Sequence, residues 1–74
     1  MNSTNGVYAA MSADLITKTE VAVTMKKYGG AFIRSLADTW FVADPSNQAK
    51  IEGAFAAEFN KYHDLAEQMR GVPA

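Results

Sequence analysis

The chain contains no cysteine, which removes disulfide stapling, thiolate nucleophiles and every thiolate metal site. It contains one histidine, His63, too few for a zinc site of the usual His and Cys ligand set. No apolar run is long enough to span a bilayer. The first residues, Met1-Asn2-Ser3-Thr4-Asn5-Gly6, have neither the basic start nor the apolar centre of a secretion signal. Surplus positive charge is missing too: seven basic residues face eight acidic ones, for a net charge of -1. A nonspecific nucleic-acid binder needs that surplus to release counterions, so nucleic acid is a disfavoured partner. These exclusions leave a cytoplasmic protein with no metal, no cofactor and no membrane segment as the expectation.

What is present is apolar surface in excess of what so short a chain can hide. Of 74 residues, 49% are hydrophobic, too many for intrinsic disorder. A chain of this length folds as one domain and buries only about 60% of its extended surface. With no disulfide or metal to help, self-association is the expected source of further burial.

Residues 1–11 read as a polar arm, flexible or docked, with mildly apolar Val7, Tyr8 and Met11. Residues 12–74 read as a single helical domain, with Ser12 positioned to cap a first turn. The β-branched run from Ile16 to Thr24 also suits a short strand, but a longer window decides for helix. Val21, Met25, Tyr28, Phe32, Leu36 and Trp40 recur at spacings of three and four, with Ala22 and Ile33 on the edge of the stripe. At about 100° per residue they share one sector, opposite Glu20, Lys27, Arg34 and Asp38. The stripe keeps phase across Gly29-Gly30, so the expectation is one helix running through both glycines, with a break there as the alternative. In the continuous helix Gly29 marks a close approach of another helix.

Ala43-Asp44-Pro45-Ser46 is the clearest punctuation: Asp44 suits an N-cap, and Pro45 suits the first helical position because it lacks an N–H. A second helix is expected from Pro45 to about Met69, with the stripe Ile51, Phe55, Phe59, Tyr62, Ala66 and Met69 and an end at Gly71-Val72-Pro73. Two long helices with a short turn between them predict an all-α fold. Its expected form is an antiparallel helical hairpin with an N-terminal arm or short helix, packed in an oligomeric helical bundle.

Three groups of residues are candidates for function. Glu58 and Tyr62 share a face, with His63 about 100° further round. Glu58 lies in the apolar stripe, so it suits a general acid or base or, more simply, a carboxylate paired with a basic residue or bonded to Tyr28 or Tyr62 across an interface; plain surface exposure is the third reading. Lys26, Lys27 and Arg34 form the second group. In a symmetric assembly they could meet on a small anionic ligand; otherwise they line a solvated face with Glu20 and Asp38. Trp40 and Phe41 form the third. Phe41 falls off the main stripe beside a charged rim, which fits an interface anchor. The oligomer interface is expected to include Phe41 and part of the Trp40 stripe.

Asn47, Gln48 and Lys50 follow Pro45 in the way a DNA-reading helix would require, so a helix-turn-helix regulator is an alternative. Five acids against three bases over residues 44–70 oppose it. A small enzyme using Glu58 or His63 is the other alternative; the expectation is a non-enzymatic protein.

Tyr28-Gly29-Gly30-Ala31-Phe32-Ile33-Arg34-Ser35-Leu36-Ala37, then Ala43-Asp44-Pro45-Ser46-Asn47-Gln48-Ala49-Lys50-Ile51 and Ala54-Phe55, resembles small uncharacterised accessory proteins encoded by tailed bacteriophages and prophages. The resemblance covers about residues 25–66 and carries over no catalytic residue. It implies the cytoplasm of a bacterial host and stoichiometric binding to a host protein or small ligand, for example inhibition of a defence or regulatory system.

Overall fold

The computed structural model describes residues 15–71, so the expected arm and the Ser12 cap lie outside the described residues. The described residues form four helices and no strand, with 86% of them helical. Helix α1 is Lys18–Tyr28, α2 is Ala31–Val42, α3 is Pro45–Ala54 and α4 is Ala56–Gly71. No helix among them is long and apolar enough to cross a membrane.

Helix α1 begins where Thr17 Oγ1 accepts the Glu20 N–H at 3.1 Å, satisfying one of the free donors of the first turn. Of its β-branched residues, Val21 and Thr24 are buried beside Ala22 and Met25, while Thr19 and Val23 are exposed. Buried Thr24 turns its hydroxyl back to donate to the Glu20 carbonyl at 2.8 Å, so the polar atom is satisfied within the helix.

The expected continuous helix through Gly29-Gly30 is not formed. Gly29 ends α1 and Gly30 caps α2, both with extended backbone (φ -82°, ψ 162° and φ -78°, ψ -170°). Two interior glycines would cost a helix about 1 kcal/mol each relative to alanine. Tertiary burial adds to that penalty. One unbroken rod cannot fold its own stripe together, whereas a corner at the glycines brings Val21, Ala22 and Met25 into one cluster with Leu36, Ala37 and Trp40. Tyr28 and Phe32 flank the corner and remain exposed.

Asp44 and Pro45 behave as the sequence predicts: Asp44 Oδ1 accepts the Asn47 N–H at 2.8 Å and Pro45 opens α3. The expected single helix from Pro45 to Met69 is instead bent at Phe55 (φ -119°, ψ 40°). The helical hydrogen bonds survive on either side, Phe55 N–H to the Ile51 carbonyl at 2.9 Å and Phe59 N–H to the Phe55 carbonyl at 3.0 Å. The bend leaves the Phe55 ring edge-on to Phe32, with centroids 5.8 Å apart, while Phe59, Tyr62 and Ala66 remain in the core. The two expected long rods are thus four shorter helices, and α1 packs along both α2 and α4. Arg70 near the end of α4 reaches the start of α1, donating to Glu20 (Nε to Oε2, 3.2 Å) and to the Leu15 carbonyl (3.4 Å). Helices α1 and α4 therefore run antiparallel.

Candidate functional site

Helix α3 has no fully buried side chain; Ile51 packs half-buried against the core, and two polar contacts tie the helix to Trp40. The Trp40 indole N–H donates to Glu52 Oε2 at 2.7 Å, and Gln48 Nε2 donates to the Trp40 carbonyl at 3.0 Å. The first is a short bond to a carboxylate in a partly buried place, the stronger kind. Glu52→Ala is expected to cost about 1–2 kcal/mol, because the indole loses its charged acceptor. Glu52→Gln should recover part of the loss. Thermal melts followed by tryptophan fluorescence provide the check, and an Ala variant melting with the wild type would show that α3 does not depend on this bond.

That clamp holds Trp40 in the interior, 5% exposed, with little of its own surface left open. It supports Phe41 instead. The two rings meet edge-on with centroids 5.3 Å apart and planes at 76°. Phe41 is 39% exposed and the next residue, Val42, is 85% exposed. The end of α2 thus presents Phe41, backed by Trp40, beside the freely exposed Val42.

The three candidate cations are not gathered at one place. Lys26 Nζ lies 2.7 Å from Asp38 Oδ1 and ties α1 to α2. Lys27 lines an open groove between α1 and α4, its Nζ 5.6 Å from the centroid of the adjacent Tyr28 ring. Arg34 stands exposed on the first turns of α2. Among the described residues neither Lys27 nor Arg34 has a carboxylate within 4.0 Å.

Glu58 is half-buried and, among the described residues, forms neither an ion pair nor a side-chain hydrogen bond to Tyr28 or Tyr62. Tyr62 is buried, with Lys61 Nζ 5.6 Å from its ring centroid. His63 faces neither of them. Its Nδ1 is 3.8 Å from Asp64 Oδ1 and 3.9 Å from Glu67 Oε1, a surface cluster on one helix. Among the described residues no ion pair or hydrogen bond joins Glu58 to His63, the two residues on which the catalytic alternative rests singly. Of the residues the DNA-reading alternative needs, Gln48 gives its side-chain amide to the Trp40 carbonyl, whereas Asn47 gives only its backbone N–H to the α3 cap and, like Lys50, is exposed.

The groove between α1 and α4 is a feature that spacing alone did not reveal. Its volume is about 290 Å³, and Val23, Tyr28 and Met69, each about half exposed, supply its apolar wall. Glu20, held by Arg70, marks one end and Lys27 the other. A partial signal was present in Val23, an apolar residue off the main stripe. No family model, curated protein or solved structure matches the chain.

Proposed function

We propose that the chain is a non-enzymatic accessory protein that acts by stoichiometric binding to another protein, presenting Phe41 and Val42 at the end of α2, and that it works as a homo-oligomer. The observation that carries this reading is the exposed Phe41 ring, braced by Trp40 and next to exposed Val42, on a domain whose core is already closed by Trp40, Phe59 and Tyr62. Large apolar side chains held rigid at a surface lose little freedom on binding and are the usual anchors of protein interfaces. The resemblance of residues 25–66 to phage and prophage proteins supports a bacterial host protein as partner and the host cytoplasm as setting. Interference with a host defence or regulatory system is the corresponding role. Lys26 and Arg34 stand as polar contacts around the same helix pair.

Phe41→Asp tests the reading. It places an unpaired carboxylate where an apolar anchor should be buried. The expected result is loss of the proteins captured by wild-type bait from host lysate, a weakening of about thirtyfold or more, with the circular dichroism spectrum unchanged. Equal capture by the two baits would remove this surface from the function.

A further inference from the structure

We infer that the α1–α4 groove is the surface on which a second copy of this chain docks, antiparallel, through a two-fold axis near Val23. This rests on the reading that the chain self-associates, and it names the surface and the contacts.

Glu20 and Lys27 are seven residues apart on α1, two helical turns, and so lie on one face about 10 Å from each other. Between and beside them the wall is apolar: Val23, then Tyr28, with Met69 from α4. A two-fold axis at the level of Val23 lays the apolar middle of one groove on the middle of the other. The same operation brings Lys27 of each copy opposite Glu20 of the other. Arg70 engages both Glu20 oxygens, at 3.2 and 3.3 Å, but a carboxylate accepts about four hydrogen bonds, leaving lone pairs for a second cation. Lys27, which has no carboxylate within reach among the described residues, gains one. A parallel arrangement would set Lys27 against Lys27 and is disfavoured. Two antiparallel α1–α4 pairs meeting in this way form a four-helix layer, a stable way to cover helix faces left half-wet in so small a domain.

The test is a charge exchange read by sedimentation equilibrium on the full chain. Wild type is expected to dimerise, with the dimer fraction rising with concentration. Lys27→Glu sets glutamate against Glu20 twice, and Glu20→Lys sets lysine against Lys27 twice. Each variant alone should dimerise at least tenfold more weakly. Mixed one to one, the two restore both opposite-charge contacts, and a heterodimer of near wild-type affinity is expected. Because Glu20→Lys also gives up the Arg70 contact, Val23→Asp supplies an independent test: it leaves all four charges in place and should abolish the dimer. Circular dichroism reports that each variant is folded. A wild-type chain that is monomeric at every concentration overturns both self-association and this docking. A dimer that persists in Lys27→Glu and Val23→Asp keeps self-association and overturns the groove as its site.

Discussion

Replacing Phe59 by alanine is expected to remove most of the stability of the fold. Phe59 is the bulkiest of the fully buried side chains, 2% exposed, and belongs to the cluster that holds Val21 and Met25 of α1 with Leu36 and Trp40 of α2. It is also the residue by which α4, just past its bend, enters the core. Truncating a buried phenylalanine costs about 3–5 kcal/mol, because apolar transfer is lost and a cavity stays behind. A domain of this length has about 4–11 kcal/mol in total. The same substitution at Phe32 provides the scale. Phe32 is 59% exposed, and its main contact is the edge-on ring of Phe55. Phe32→Ala should therefore cost about 1 kcal/mol. Urea unfolding followed by far-ultraviolet circular dichroism measures both. Comparable losses at the two positions would mean that the core is not centred where α1, α2 and α4 meet.

What could be read in the sequence was local, and what could not depended on residues distant along the chain. Asp44-Pro45 was legible because a cap acts over three residues, and the structure has that cap. Thr17-Lys18-Thr19-Glu20 carries an equally local start signal, and Thr17 is the residue that caps α1. The apolar stripes placed Val21, Met25, Leu36, Trp40, Phe59, Tyr62 and Ala66 in the core, where they lie, but also Tyr28, Phe32 and Met69, which are exposed. Their phase, however, does not register a corner, because a turn of two extended residues can leave the periodicity intact. Phe41 lay off the stripe in sequence and is partly exposed in the fold. Its support by Trp40 follows from a bond to Glu52, twelve residues away, and the groove closes through Glu20 and Arg70, fifty apart. No spacing rule reaches that far.

The adjacent glycines at the α1–α2 corner are expected to respond to substitution with opposite signs. Both have extended backbone at negative φ, a conformation open to any residue, so conformational freedom is not what either position requires. The difference is space. A Cβ at Gly29 would lie 2.6 Å from Ile33 Cβ and 2.6 Å from the Met25 carbonyl oxygen, and would press on Ile33 Cγ2. The methyl of Ile33 can rotate, but its Cβ moves only with α2. The Met25 carbonyl is fixed because it accepts the Gly29 N–H at 2.9 Å in the last turn of α1. Gly29→Ala should therefore cost about 1–3 kcal/mol, an overpacking penalty. At about 4–8 °C per kcal/mol for a domain of this size, the melting temperature falls clearly. A Cβ at Gly30 meets nothing within 4 Å, and the position is the N-cap of α2 without a side-chain acceptor. Gly30→Ser offers the free N–H groups of Phe32 and Ile33 a hydroxyl oxygen and reduces the freedom of the unfolded chain. Together these should stabilise by about 0.5–1 kcal/mol. Thermal melts of the two single variants decide the matter. Losses at both positions would shift the requirement from space to backbone conformation, against the observed φ and ψ. Gains at both would mean that α1 and α2 do not turn on Gly29, because only that turn brings Ile33 against it.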